Sequence, residues 1–175
     1  NLQPFVSQQI YYSMIGREAE YELVPASVDQ NLGILVWSPL AGGLLSGKYR
    51  RNQDGPAGAR HTTEWSEPPI YNWDRVYDII EGLVGVAEEC GVSAAQVALA
   101  WLLGKPGVTS IVIGARTEEQ LTDNLAAVDL NLSDEQRERL DKLSVPDLLY
   151  PYWHQKAGAS DRLSPADETL LNSAR

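Results

Sequence analysis

The stretch with the most chemical potential is Trp37-Ser38-Pro39-Leu40-Ala41-Gly42-Gly43-Leu44-Leu45-Ser46-Gly47-Lys48-Tyr49. Two hydroxyls, Ser38 and Ser46, flank a glycine pair, and Lys48 is the only lysine close to it. Glycines let the main chain approach a ligand closely, and a cation with hydroxyl neighbours suits a phosphate. The same residues also fit an ordinary loop carrying a surface lysine. A second stretch, Gly114-Ala115-Arg116-Thr117-Glu118-Glu119-Gln120-Leu121-Thr122-Asp123-Asn124, runs from an apolar segment into a capped helix. Free N–H groups and the positive dipole end make such a helix start receptive to anions. Thr117 and Gln120 also form a capping box, which is a sufficient structural reason for the glutamine. Asn124 falls mid-helix, where asparagine has poor propensity, and calls for another reason.

Both stretches need strands to deliver them. Phe5 to Tyr11 reads as a strand rich in β-formers, and Gly33-Ile34-Leu35-Val36-Trp37 as a strand buried on both faces. Val108 to Ile113 reads as a third buried strand. The second strand ends at Ser38-Pro39, because proline lacks the N–H a ladder needs. A helix from Arg17 to about Asn31 lies between the first two strands, with Pro25 opening a turn and not breaking one. Strand, helix, strand is the grammar of a parallel sheet, whose carboxyl end is where α/β proteins bind ligands. Residues 41 to 72 show no period and hold Gly55-Pro56-Ala57-Gly58 and Pro68-Pro69, which reads as a long lid. Trp73 to Glu89 places Val76, Ile79, Ile80, Leu83 and Val86 on one helix face, and Gly91 stops it. Ser93-Ala94-Ala95-Gln96 is a capping box for the next helix, which Pro106-Gly107 ends. Thr117 caps a helix to about Val128, Ser133 caps another to about Ser144, and residues beyond about 147 read as an irregular tail.

Three blocks in this order resemble the aldo-keto reductases, and specifically the branch that includes the potassium-channel β subunits. They are Gln9-Ile10-Tyr11-Tyr12-Ser13 with Arg17, then Trp37-Ser38-Pro39-Leu40-Ala41-Gly42-Gly43, then Gly114-Ala115-Arg116 with Gln120, Asp123 and Asn124. The resemblance runs from residue 1 to about Leu143 and implies an α/β fold, the C-terminal half of a (β/α)8 TIM barrel, with three parallel strands, helices and a lid loop in one partial domain over residues 1–175. It implies an NADP(H)-dependent reductase that moves hydride between nicotinamide and an aldehyde or ketone, or the reverse on an alcohol. It also leaves open a cofactor-sensing channel subunit, or a fragment that binds nothing. The family's catalytic Asp, Tyr, Lys and His lie upstream of these residues, so no catalytic residue is assigned, and the barrel's N-terminal half is an expected partner.

By the same resemblance Gln9 meets the nicotinamide carboxamide and Trp37 stacks on its ring. Ser38, Pro39, Leu40 and Gly43 border the pyrophosphate, while Ser46 and Lys48 lie in the loop that folds over it. Arg60 corresponds to a lid arginine. Gly114 and Arg116 approach the 2′-phosphate that separates NADP from NAD, and Gln120, Asp123 and Asn124 reach the adenosine end. Gln8 faces the other side of its strand and Tyr12 matches a packing tyrosine, so neither is assigned. His61 and His154 read as solvated loop residues with no zinc spacing.

Composition sets the outer bounds. Fourteen basic against 24 acidic side chains give a formal charge of −10, which disfavours nucleic acid and anionic membrane as partners. The single cysteine, Cys90, excludes an internal disulfide and suits a reducing, cytoplasmic compartment; its apolar helical setting reads as a buried thiol. No apolar run approaches the ~20 residues of a membrane span. Asn1-Leu2-Gln3-Pro4 reads as mid-chain sequence, and three strands cannot close a barrel that needs roughly eight.

Overall fold

Alternating β-rich and helix-rich segments fold as their order requires. The computed structural model describes residues 2–59, 61, 68–159 and 161–171. β1 (Ser7–Tyr11), β2 (Gly33–Trp37) and β3 (Val108–Ile111) form one parallel sheet in that order. A 3-10 turn (Glu18–Glu20) and α1 (Leu23–Gln30) link β1 to β2. A 3-10 segment (Ala41–Ser46), α2 (Trp73–Cys90) and α3 (Ala94–Leu103) link β2 to β3. α4 (Glu118–Leu125), a 3-10 turn (Ala126–Asp129), α5 (Asp134–Ser144), α6 (Tyr152–Gly158) and α7 (Pro165–Leu171) follow.

The core lies on one face of the sheet. Ile10, Ile34 and Val36 point into it and meet Val76, Ile79, Ile80 and Leu83 of α2 with Val97, Trp101 and Leu102 of α3. α2 has the i, i+3, i+4 apolar face read in its sequence, is capped by Asn72, and ends where Gly91 takes φ 68°. The opposite sheet face is open: Gln9 and Ser110 are exposed and Trp37 is 40% exposed. The expectation of strands buried on both faces therefore fails, because among the described residues no layer covers the face that a closed barrel fills with side chains. Between β2 and β3 the register slips at Ile34/Leu35, leaving Thr109 as an extra residue whose hydroxyl donates to the Ile34 carbonyl at 3.1 Å.

Four further expectations are corrected. The helix from Arg17 is divided, with Pro25 in the first turn of α1, where its missing N–H costs nothing. The stretch after Ala41 is not a loose lid at its start: Leu44, Leu45 and Tyr49 are core residues, and glycines with positive φ coil it into a compact turn. Arg60 and residues 62–67 of that lid lie outside the described residues. The tail contains α6 and α7; Ser164 caps α7 through the Asp167 amide at 3.2 Å, and α7 docks on α1 with Ala166, Leu170 and Leu171 buried. Cys90 is half-buried and accepts from Gln136 Nε2 at 3.3 Å, so it is not sealed in the core.

A buried polar cluster ties the β1 exit to α3 and α5. Arg17 is 2% exposed and grips Glu20 with two bonds, Nε to Oε1 at 2.8 Å and Nη2 to Oε2 at 2.9 Å. Its Nη1 donates to Ser144 Oγ at 2.8 Å and lies 3.4 Å from Asp141. Asp141 also accepts from Trp101 Nε1 at 3.1 Å and pairs with Lys105. Tyr12 donates to Glu20. Burial first, then the Glu20 carboxylate, holds the Tyr12 phenol well above the ordinary tyrosine range. An unfolded tyrosine ionises near pH 10, so above that pH the unfolded chain holds fewer protons and stability falls as pH rises. Lys105, held low by burial and by Arg17, acts in the opposite sense. Comparing wild type with Tyr12→Phe isolates the tyrosine. Urea unfolding between neutral and alkaline pH should show a shallower alkaline loss in the variant, by about 1.4 kcal/mol per pH unit above pH 10. Equal slopes would show that Tyr12 is ionised in the folded protein.

Candidate functional site

The site is built at the carboxyl ends of β2 and β3. Val36 pairs with Ile111, and the Val112 N–H donates to the Val36 carbonyl at 2.8 Å, so the two strands leave the sheet side by side. β2 hands over to the glycine turn and β3 to Gly114 and α4. Tyr11 pairs with Trp37 across β1 and β2, their rings 5.0 Å apart. Gln9 sits one rung back opposite Leu35, on the open face it shares with Trp37. Gln8 turns to the other side, donating to the Leu23 carbonyl at 2.8 Å and to Ser27.

The glycine turn is wound tightly. Ser38, Ala41, Gly42 and Gly43 all have positive φ, with Gly43 at 95°, a conformation open to glycine at little cost. Ala41 N–H bonds to the Ser38 carbonyl at 2.9 Å, Gly43 N–H to Leu40 at 2.9 Å, and Leu45 N–H to Leu40 at 3.2 Å. Those amides serve the turn itself, so the polar groups offered to a ligand are mainly side chains. Ser38 Oγ accepts only a long 3.4 Å bond from Gly42 N–H, leaving its proton available, and Ser46 donates to the Gly43 carbonyl at 2.7 Å. Lys48 folds back over the turn: a Cβ added at Gly43 would lie 3.3 Å from its Nζ. Gly43, Ser46 and Lys48 thus converge on one spot, which suits an anion. Pro39 is buried and Leu40 half-buried beneath it.

The β3 side is arranged differently. Thr117 Oγ1 accepts from Gln120 N–H at 3.2 Å, the first half of the capping box read in the sequence, but Gln120 Oε1 reaches past Thr117 and accepts from Arg116 N–H at 2.9 Å, so the reciprocal half is not made. Arg116 is exposed, with its backbone fixed by that bond. Asp123 turns away to the start of α3, accepting from Ser93 Oγ at 2.6 Å and Gln96 Nε2 at 2.7 Å. Gln96 therefore leaves the capping box that its own sequence suggests. Asn124 is 8% exposed, a buried amide in the helix that faces α3. A hollow of about 530 Å³ beside α4 is lined by Glu118, Glu119 and Asp123 with Gln96 and Thr122, an acidic wall unsuited to phosphate. Any phosphate is better served by the Lys48 spot and by Arg116. His61 is not a solvated loop residue: its Nε2 lies 3.3 Å from the Ala41 carbonyl and its ring is flanked by Tyr49 and Trp73. The sequence carried no motif for it, since the partners come from separate segments. His154 is exposed on α6.

The profile of the Aldo/keto reductase family matches residues 2–145. An uncharacterized oxidoreductase of Bacillus subtilis is 38% identical over 130 residues, covering 74% of this chain and 37% of that protein. A probable voltage-gated potassium channel subunit beta of Arabidopsis thaliana is 35% identical over 73% of this chain and 39% of its own. An NADH-specific methylglyoxal reductase of Escherichia coli is 36% identical over 72% of this chain and 38% of its own. The structure of a glycerol dehydrogenase from Gluconobacter oxydans superposes with a TM-score of 0.63 at 24% identity, over 82% of this chain and 44% of that one, which shows the shared barrel fold. The chain spans about two fifths of the length of the curated relatives it matches.

Proposed function

Because the chain belongs to the aldo/keto reductase family, we propose that it supplies the dinucleotide-binding half of a barrel that moves hydride between NADPH and a small aldehyde or ketone, or the reverse on an alcohol. The observation that carries this reading is the side-by-side exit of β2 and β3, whose carboxyl ends open into the glycine turn and into the segment that begins at Gly114. Bound NADPH would supply the hydride. The protein's share is to bind and orient. Trp37 and Gln9, on one open face, offer a flat ring and an amide to the nicotinamide. Ser38, Gly43, Ser46 and Lys48 serve the pyrophosphate, and Arg116 the 2′-phosphate. Gln120 and Asn124, one helical turn apart, serve the adenine. The catalytic Asp, Tyr, Lys and His belong to the N-terminal half of the barrel, and the free thiol of Cys90 fits a reducing cytoplasm.

Likeness to a plant channel subunit favours a second reading, in which the same site senses the cofactor and turnover is absent. Binding comes first in either case. Adding NADPH to the folded chain should quench tryptophan fluorescence, and Trp37→Phe should remove most of the response. An unchanged signal from the folded wild type would overturn the assignment.

A further inference from the structure

We propose that Tyr11 is a positioning residue for the nicotinamide end of the dinucleotide: it braces the Trp37 indole from the β1 side and leaves the rest of that ring open for stacking. The inference rests on the assignment of Trp37 to the nicotinamide, and it concerns a residue that touches no ligand atom itself.

Trp37 needs a brace. It ends β2 on the uncovered face of the sheet, where 40% of it is exposed. An indole on a bare face has several rotamers open to it, and fixing one of them on binding costs affinity. Tyr11 stands directly across from it in the β1–β2 register, with the ring centroids 5.0 Å apart and the planes at 60°. That separation and tilt suit an aromatic pair. On the other flank, the chain leaving β3 offers Val112, which is 48% exposed and carries no ring. Among the described residues, Tyr11 is the ring that meets the indole.

Tyr11 is itself anchored. Its ring lies over the buried Gly16, so closely that a Cβ built there would collide with Cε1 and sit 3.1 Å from the hydroxyl oxygen. That hydroxyl is shut off from solvent. The turn beneath the ring is closed twice: Ser13 N–H donates to the Gly16 carbonyl at 3.1 Å, and Gly16 N–H donates to Ser13 Oγ at 3.0 Å. Arg17 follows at once, locked by Glu20 and Ser144. The pair is thus pinned at its tyrosine end and open at its tryptophan end, the arrangement by which a rigid supporting side chain readies a contact residue.

The test measures affinities by titration calorimetry on the complete 175-residue chain. The probes are NADPH and adenosine 2′,5′-bisphosphate, which keeps the adenosine and 2′-phosphate and lacks the nicotinamide. Tyr11→Leu should weaken NADPH about three- to tenfold and leave the bisphosphate unchanged, since only the stacking end is disturbed. Tyr11→Phe keeps the ring and should bind both as wild type does. Gly16→Ala keeps the tyrosine but displaces its ring, so it should repeat the Tyr11→Leu pattern, and it decides the case should Tyr11→Leu not fold. In a Trp37→Leu background, Tyr11→Leu should cost NADPH nothing further, because the brace has nothing left to hold. Near-UV circular dichroism of the nucleotide-free chain should lose a common aromatic signal in Tyr11→Leu and in Trp37→Leu. Undiminished NADPH affinity in folded Tyr11→Leu, equal losses for both probes, additive losses in the double variant or an unchanged near-UV spectrum would each overturn the proposal. A folded wild type without any NADPH response would sink the dinucleotide reading and this inference together, whereas a normal wild-type response with an unaffected Tyr11→Leu sinks this inference alone.

Discussion

Arg17→Ala is expected to lower the unfolding free energy by about 3–5 kcal/mol, enough to unfold many domains of this size. The magnitude follows from what the substitution leaves behind. Glu20 is 1% exposed, and its carboxylate would lose both guanidinium bonds while remaining in the core. Ser144 and the Asp141 carbonyl lose their shared donor, and the guanidinium stacked 5.2 Å from the Trp101 ring centroid disappears. Urea denaturation followed by circular dichroism measures the loss. The double variant Arg17→Met, Glu20→Leu removes both charges and should recover most of it, because the desolvation penalty goes with them. A single variant as stable as wild type would show that Glu20 finds another partner.

The second large effect concerns the cofactor. Arg116→Ala should weaken NADPH binding about tenfold or more and leave NADH nearly unchanged. Gln120 clamps the Arg116 amide, so the backbone is held while the guanidinium stays exposed and free to fork onto a 2′-phosphate. Arg116→Lys keeps the charge without the fork and should fall between. Similarity to an Escherichia coli protein described as NADH-specific makes the ratio of the two losses the informative quantity. Equal losses for both nucleotides would remove the case for NADP.

Much of the scaffold is legible from local chemistry. The α2 stripe, its Asn72 and Gly91 ends, the Ser133–Gln136 box and the proline stop after β2 are all written within a turn or two of where they act. The features that escape the sequence depend on distant partners. The amphipathic face of α7 has meaning only against α1, and Asp123, which the resemblance assigns to the adenosine end, bonds instead to Ser93 and Gln96. Thr109 becomes a bulge because Gly33 leaves room beside it, a Cβ there lying 3.0 Å from the threonine hydroxyl. In the site, the order of Ser38, Gly43 and Lys48 hints at an anion loop, but the return of Lys48 over Gly43 is set by the turn's positive φ values. The Tyr49–His61–Trp73 group has no motif at all, since three separate segments supply its rings.

The seam between α7 and α1 joins segments that stand far apart in the sequence. During synthesis α1 emerges with its strand yet waits for every element between it and α7 before that contact can form. Closing so wide a span is entropically demanding and slow relative to local helix formation. The crossover that contains α1 therefore gains its α7 contact late relative to its own helices, which leaves that face of α1 open to a chaperone in the interval.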